Sequence, residues 1–263
     1  MAPKIRPVGI CGLCRNCGPL AESHAIPKAL YRLCRPPGAN QHPLVITEKF
    51  KVQGPFEMKD YFLCDACEDK FNRRGEDWIM KQCYRGRGRF WLRDKLMPEN
   101  AIMAHEGSSV YSGAAIEGVD VAALTYFPLS VFWRTAARSW KLRGQEMPAL
   151  RLGPYEDALR LYLLDQSPFP ENVALTVWVS TADVPLFATH FPISERTETS
   201  IVHRFYIPGI QFMLSLGKQL DDSIRRCCIA TGVGNPIFTS DKTEAVPRDR
   251  FRKWLLQHEP AGT

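Results

Sequence analysis

Two Cys-x-x-Cys pairs constrain the fold of this chain more than any other feature of its sequence. The first pair is Cys11 and Cys14, and the second is Cys64 and Cys67. Each such turn presents two sulfurs to one ion, and four thiolates complete the tetrahedral shell of a structural zinc about 2.3 Å from each sulfur. The two pairs therefore predict one structural Zn²⁺ site. Because that shell is closed, we expect any catalytic chemistry to lie elsewhere.

The spacing leaves the choice of ligands partly open. Between Cys14 and Cys64 lie 49 residues, so this insertion must itself fold around the ion. Cys17 forms a further Cys-x-x-Cys with Cys14, and Cys34 is also near in the sequence. The nine cysteines are an odd number. In a chain without an export signal, this number and pairing favour metal binding over disulfides.

Length and composition bound the class of protein. The 263 residues are 45% hydrophobic, which is enough for one large domain or two smaller ones. No window reaches the roughly 18 to 20 uninterrupted apolar residues of a membrane span. Residues 1–10 carry prolines and charges where a signal peptide has an apolar run. We therefore expect a soluble, cytoplasmic protein with no membrane partner.

Positive charge is concentrated in the first 95 residues. They carry 18 Lys and Arg against 10 Asp and Glu, a net charge of +8, whereas the rest of the chain carries 16 against 18, a net charge of −2. A field of this sign attracts polyanions without choosing among them. It gives a nucleic-acid partner modest support, and a solvated basic surface is the alternative.

The densest basic segment alternates arginine with glycine, as Arg85, Arg87 and Arg89. We expect these side chains to follow a phosphate backbone, with Phe90 and Trp91 available to stack on bases. A basic loop without a nucleic-acid role would have the same composition.

The hydrophobic patterns predict an α+β protein with a zinc-stabilised module over residues 1–95 and a mixed α+β domain over residues 96–263. The predicted helices span residues 26–33, 65–84 with a break at Gly75, 128–142, 154–164 and 248–258. The predicted strands span residues 44–46, 61–63, 173–180 and the two halves of 201–216, around a type II turn at Pro208 and Gly209. Residues 96–120 are predicted to be a linker with weak strand character.

The order of the N-terminal motifs resembles that of the HNH nucleases, also called ββα-metal nucleases. A Cys-x-x-Cys pair is followed by Ser23, His24 and an Ile-Pro dipeptide, and then by a second Cys-x-x-Cys pair that runs into Glu68. The likeness is to a bacterial branch of the family that carries Ser-His-x-Ile-Pro and Cys-x-x-Cys-Glu. It covers about residues 8–80, which is under a third of the chain.

The resemblance implies an HNH-like ββα-metal module and a metal-dependent endonuclease that hydrolyses DNA, most readily double-stranded, with RNA left open as a substrate. His24 takes the position of the general base, which suits imidazole because its pKa lies near neutrality. Glu68 and Asn72 match the helical positions, four residues apart, that hold the catalytic ion in the family. Oxygen ligands of this kind favour Mg²⁺ or Mn²⁺. Glu76 continues the same helical stripe or pairs with Arg73.

This sequence departs from the family pattern at several positions. Ser23 stands where many members have Asp, Glu or His as a metal ligand, and Glu68 stands where His is common. The family's central asparagine has Asn40 or His42 as its candidate counterpart. These departures keep a second hypothesis open, namely a catalytically inactive, zinc-stapled module that binds nucleic acid or protein. Family likeness alone suggests a bacterial defence or mobile-element setting, with residues 96–263 serving recognition, regulation or assembly.

Overall fold

The computed structural model describes residues 5–35, 42, 44–46, 51–105, 107–183 and 185–241. The predicted helix over residues 248–258 and Asn40 both lie outside these residues. The described helices are α1 Lys28–Leu33, α2 Asp65–Phe71, α3 Asp77–Gln82, α4 Trp91–Leu96, α5 Val121–Ala137, α6 Tyr155–Leu163 and α7 Asp222–Arg226, with a π-helical segment at Asn72–Glu76 and a short 3₁₀ helix at Gly113–Ala115.

The described strands are β1 Val8–Ile10, β2 Cys17–His24, β3 Leu44–Ile46, β4 Lys51–Gln53, β5 Lys59–Cys64, β6 Met103–His105, β7 Ser108–Ser112, β8 Lys141–Leu142, β9 Gln145–Glu146, β10 Val173–Ser180, β11 Ile193–Arg196, β12 Ile201–Ile207, β13 Ile210–Leu216 and β14 Pro236–Ser240. Together with the helices they confirm the predicted α+β class. Among the described helices, none combines the length and the apolar character that would let it cross a bilayer.

The N-terminal region is built on a three-stranded antiparallel sheet with the order β1-β2-β5. The register sets Leu20 opposite Cys64 and His24 opposite Lys59. β5 passes directly into α2, so two antiparallel strands and a helix follow one another in space. The insertion between β2 and β5 contains α1 and the β3–β4 hairpin.

The helix predicted over residues 65–84 is present as α2 and α3, joined by the π-helical segment. Gly75 lies in this segment, as the predicted break requires. A Cβ atom at Gly75 would stand 2.9 Å from the Cα of Phe127 in α5. The two backbones therefore meet where only glycine fits.

The C-terminal region contains a seven-stranded sheet with the order β11-β12-β13-β10-β14-β7-β6. Its pairs are antiparallel except for β10 and β14. The strands predicted over 173–180 and 201–216 are confirmed, and Gly209 takes φ of +83° at the turn. Residues 96–120, predicted as a linker with weak strand character, supply β6 and β7 at the edge of this sheet, which confirms the strand character.

Helix α5 lies between the sheet and the N-terminal region. Phe127 and Phe132 contact Phe205 of β12 on one side, and on the other Trp133 stacks on Phe62 of β5 with ring centroids 5.7 Å apart. All residues from Ala123 to Thr135 are buried, as expected for a helix covered on every side. The N-terminal and C-terminal regions consequently share one hydrophobic core.

The predicted bounds of this helix, residues 128–142, were wrong at both ends. The helix begins at Val121, where the Asp120 side chain accepts a hydrogen bond of 2.8 Å from the Ala123 N–H and caps it. Pro128 lies inside the helix rather than in its first turn. Near the predicted end, Arg143 and Gly144 both have positive φ and close a hairpin between β8 and β9.

Candidate metal centre and the residues around it

The four predicted cysteines converge at one point. Cys11 and Cys14 lie in the turn between β1 and β2, whereas Cys64 ends β5 and Cys67 lies in the first turn of α2. Their sulfur atoms all lie within 4.8 Å of one another, and this is the one group of at least three possible metal ligands found among the described residues. Strand pairing and the direct passage of β5 into α2 bring the two Cys-x-x-Cys pairs together.

A zinc ion fits these four sulfurs. Tetrahedral zinc with bonds of about 2.3 Å requires sulfur atoms about 3.8 Å apart, and the Cys14 and Cys64 sulfurs are 3.8 Å apart. The Cys64 backbone N–H also donates to the Cys11 sulfur at 3.3 Å. Cys17 is exposed and stands outside this group. The residues that would hold zinc are therefore the predicted four.

The sulfurs are crowded enough to shift one another's pKa. A hydrogen bond from the Cys67 thiol lowers the pKa of Cys11 to about 4, although burial opposes the shift. The same hydrogen bond, followed by burial, raises the pKa of Cys67. One thiolate is thus favoured only while its neighbour keeps a proton. Deprotonation of all four sulfurs calls for a cation among them.

The turn that carries Cys11 and Cys14 is held from two sides. The Gly12 N–H donates to the Phe62 carbonyl at 2.9 Å, and a Cβ at Gly12 would enter the Phe62 ring. The Leu13 carbonyl accepts a bond of 3.0 Å from Arg160 of α6. Helix α6 belongs to the C-terminal region, so that region supports the metal centre directly.

His24 is the last residue of β2 and forms a pair with a carboxylate. Its Nε2 lies 3.0 Å from Oε2 of Glu57, and the two side chains are 11% and 15% exposed. Burial lowers the pKa of His24 below its usual 6.5, and the hydrogen bond to Glu57 opposes that shift. The imidazole is therefore neutral at physiological pH.

Glu57 was missed by the sequence predictions. It lies two residues before Lys59, which is the register partner of His24, and residues two apart in a strand direction share a side of the sheet. A signal of this kind requires the register to be known. The insertion between β2 and β5 hides that register from the sequence.

Glu68 and Asn72 have different surroundings. The Asn72 side chain is exposed to solvent. Burial raises the pKa of Glu68, whereas the charge of Arg134 and a hydrogen bond from Ser23 oppose the rise. The Ser23 hydroxyl is fully buried and also accepts from the Leu63 N–H at 3.1 Å. Among the described residues, no group donates to Oε1 of Glu68.

Ser23 and His24 direct their contacts to opposite sides of β2, as consecutive strand residues do. Ser23 lies close enough to Glu68 to lower the pKa of that carboxyl, and His24 bonds to Glu57. No contact among the described residues joins Glu68 to the His24 ring. The structure thus places the predicted base and the predicted acidic ligand on different sides of one strand.

Arg134 of α5 was also missed by the sequence predictions. Its charge acts on the Glu68 carboxyl. Arg134 is 1% exposed and forms an ion pair with Glu76 of the π-helical segment. Its Nη1 donates to the His24 carbonyl at 3.0 Å. Glu76 therefore pairs with Arg134 rather than with Arg73, which pairs with Asp69.

A divalent cation does not fit the predicted Glu68 and Asn72 pair. Asn72 faces solvent, Glu76 is bound to Arg134, and the Arg134 charge already acts on Glu68. Mg²⁺ and Mn²⁺ need several oxygen ligands in a regular arrangement. His42, one of the two candidates for the central asparagine, has a carbonyl that accepts from Gln53 at 3.0 Å and makes no contact to this region among the described residues.

The basic loop, residues 85–89, forms a tight and exposed turn. The Arg85 N–H donates to the Arg89 carbonyl at 2.9 Å, and Gly86, Arg87 and Gly88 all have positive φ. The three arginines are exposed. The expected stacking role of Phe90 is not available because its ring is fully buried against Gly209.

Trp91 differs from Phe90. It begins α4 directly after the basic loop and is 58% exposed. An aromatic face this open can still receive a base. The prediction of an aromatic group beside the arginines therefore narrows to Trp91.

Comparison of the chain with models of protein families, with curated proteins and with solved structures finds no match in any of the three.

Proposed function

We propose that this chain hydrolyses phosphodiester bonds in DNA in the manner of the HNH nucleases, with His24 as the general base. The observation that carries the proposal is the His24–Glu57 pair at the end of a strand that leads, through β5, to a cysteine-stapled helix. The order of two antiparallel strands and a helix is the arrangement that the resemblance implies. A neutral, carboxylate-bound imidazole is a suitable base at physiological pH.

The pair defines which imidazole nitrogen takes the proton. Glu57 accepts a hydrogen bond from the Nε2–H of His24, and this holds the tautomer in which Nδ1 keeps its lone pair. Nδ1 removes a proton from water as the water oxygen forms a bond to phosphorus. The bond from phosphorus to the 3′ oxygen then breaks, which leaves a 5′ phosphate and a 3′ hydroxyl once that oxygen is protonated by solvent.

The four cysteines serve this reaction by holding the module together. When bound, zinc supplies a structural link rather than a reactive water, because the four thiolates leave no open coordination position. Cys11 and Cys14 fix the start of β2, and Cys64 and Cys67 fix the start of α2. His24 lies at the other end of β2.

Double-stranded DNA is the proposed partner, and the basic loop is its proposed contact. Arg85, Arg87 and Arg89 are exposed on a turn whose backbone is closed by its own hydrogen bonds. Side chains on such a turn can reach successive phosphates. Neutralisation of three phosphates predicts that the logarithm of the affinity falls with the logarithm of salt concentration by about 0.9 per phosphate.

The test is nicking of supercoiled plasmid by purified, zinc-loaded wild type, His24→Ala and Glu57→Gln. We expect wild type to nick, His24→Ala to be inactive, and Glu57→Gln to lose about 10- to 100-fold in rate because the base loses its orienting partner. Glu22→Gln is the matched control, since Glu22 lies on the same strand and pairs with Lys59 near the surface. Equal activity of wild type and His24→Ala would refute the proposal.

A second candidate is a zinc-stapled binding module without catalysis. The observation that favours it is the ion pair of Arg134 with Glu76. In this pair Arg134 binds the carboxylate of Glu76, which lies close enough to Glu68 for its charge to act there. This module would bind nucleic acid through the basic loop and leave it intact. Retention of a labelled DNA duplex by zinc-loaded protein, with no cleavage and with loss of binding in an Arg85, Arg87 and Arg89 triple alanine variant, would select it.

A further inference from the structure

We propose that the guanidinium of Arg134 takes the place of the second, divalent cation that the resemblance implies, so that this module holds no metal ion besides the one at its cysteines. The catalytic consequence of this inference rests on the proposed function. Its consequence for cation binding stands independently of cleavage.

Arg134 is buried and donates hydrogen bonds from all three of its guanidinium nitrogens. The side chain is 1% exposed. Its Nη1 donates to the His24 carbonyl at 3.0 Å, its Nε donates to the Ser130 carbonyl at 3.3 Å, and its Nη2 donates to both Ser130 Oγ and Glu76. The Cζ atom of Arg134 also lies over the Phe71 ring, 5.1 Å from its centre. A charge held this completely is a fixed part of the structure.

Glu76 reaches Arg134 from the π-helical segment. The backbone from Asn72 to Glu76 is π-helical, so Glu76 is rotated relative to its position in a continuous α-helix. Gly75 allows this segment to touch the α5 backbone at Phe127. The π-helical segment therefore turns a carboxylate toward the helix that carries Arg134. Segments of this kind are frequent at functional sites.

Charge is already balanced in part around Glu68. The buried guanidinium of Arg134 forms an ion pair with Glu76, and the charges of both groups act on the Glu68 carboxyl. A divalent ion placed at Glu68 would meet that guanidinium at short range in a region of low dielectric constant, where repulsion between like charges is strong.

The guanidinium of Arg134 is bonded to the backbone of the proposed base. Arg134 donates to the carbonyl of His24 itself, the residue proposed to remove the proton from water. Arg134 is therefore a positioning residue for His24. Because it belongs to α5, the C-terminal region completes the site of the N-terminal module.

The experiment measures Mn²⁺ binding to full-length, zinc-loaded protein by electron paramagnetic resonance. We expect wild type to show no saturable Mn²⁺ binding up to about 1 mM, the range of weak protein sites for divalent ions. Arg134→Gln should gain one Mn²⁺ site with a Kd at least about 10-fold below this limit. The double variant Arg134→Gln with Glu68→Gln should lose that site again. A wild-type site that Glu68→Gln removes would overturn the inference, as would a folded Arg134→Gln protein that gains no site.

A second measurement applies if Arg134→Gln is too unstable for binding studies. Thermal unfolding of Arg134→Ala is followed with and without MnCl₂. A cation that substitutes for the guanidinium raises the unfolding midpoint of this variant more than that of wild type, because a ligand bound only to the folded state stabilises it. No greater shift in the variant would overturn the inference. Plasmid nicking enters neither measurement, so failure of the proposed function gives a separate result.

Discussion

Cys67 of the cysteine cluster and Glu68 of the predicted Glu68–Asn72 pair are neighbours in helix α2, yet only the cysteine cluster is assembled as its spacing predicts. Cys64 and Cys67 meet Cys11 and Cys14 within 4.8 Å. Glu68, which follows Cys67 directly, instead lies within reach of Ser23 and Arg134. Spacing along the chain fixes which residues share a turn or a helix face. It does not fix which side chain arrives from elsewhere to meet them.

The largest expected effect is the loss of zinc from the cysteine cluster. Cys67→Ser should remove zinc and reduce the free energy of unfolding by roughly 5 kcal/mol or more, because structural zinc contributes about 10 to 16 kcal/mol in zinc-finger peptides. Zinc content and urea unfolding measure this. The control is Cys17→Ser, which changes an exposed thiol and should stay within about 0.5 kcal/mol of wild type. Equal zinc content in Cys67→Ser and wild type would contradict the assignment of ligands.

The next effect concerns the ion pair that stands beside Glu68. Glu76→Gln leaves the buried Arg134 without its carboxylate and should reduce the free energy of unfolding by about 3 to 5 kcal/mol. Asp69→Asn is the control, since Asp69 pairs with Arg73 on the same stretch of helix in an exposed ion pair, which contributes at most about 1 kcal/mol. Chemical unfolding measures the free energy of unfolding of both variants. Similar losses in both variants would show that Arg134 is not held as described.

A smaller effect tests the π-helical segment that carries Glu76. Gly75→Ala places a methyl group 2.9 Å from the Phe127 backbone, and we expect a loss of about 1 to 3 kcal/mol in the free energy of unfolding. Gly18→Ala is matched to it, because a Cβ at Gly18 meets nothing within 4 Å. Thermal unfolding of both proteins measures the difference. A Gly75→Ala protein as stable as wild type would mean that α5 and this segment lie further apart.

The smallest effect concerns His24, on the other side of β2 from Glu68. Burial keeps its pKa below the usual 6.5, and Glu57 opposes this, so Glu57→Gln should lower the pKa further. Well above pH 6.5 the imidazole is neutral in both folded and unfolded chains, and its pKa shift does not affect stability. As the pH falls below 6.5 the unfolded chain takes the proton first, and stability is lost toward the folded pKa.

Proton NMR of the His24 ring in wild type and Glu57→Gln measures the two pKa values. His105→Gln simplifies the spectrum by removing an exposed histidine from β6. A pKa that rises in Glu57→Gln would contradict the hydrogen bond between the two side chains.

Short-range patterns account for the part of the fold that the sequence predicted. The cysteine pairs, the break at Gly75, strand β10 and the hairpin around Gly209 each depend on residues close together in the chain. The start of α5 was misplaced because Pro128 suits a first turn, although Asp120 is the actual cap. Asp at the N-cap is itself a sequence signal, and it marks the observed start of α5.

Long-range partners account for what the sequence did not predict. His24 and Glu57 are 33 residues apart, and His24 and Arg134 are 110 residues apart. No periodicity connects positions so distant, and their meeting depends on the register of β2 with β5 and on the packing of α5 between two regions. Glu68 and Glu76 were correctly placed on a helical stretch, but the ion-pair partner of Glu76 is Arg134 of α5 rather than the predicted Arg73.

The most direct test of the whole account is plasmid nicking by zinc-loaded wild type in buffer freed of other divalent ions, followed by addition of MgCl₂. We expect cleavage that His24→Ala abolishes both before and after Mg²⁺ is added, because His24 is the proposed base. Folded, zinc-loaded protein that nicks no plasmid with or without Mg²⁺ would contradict the central claim and leave the binding module as the function.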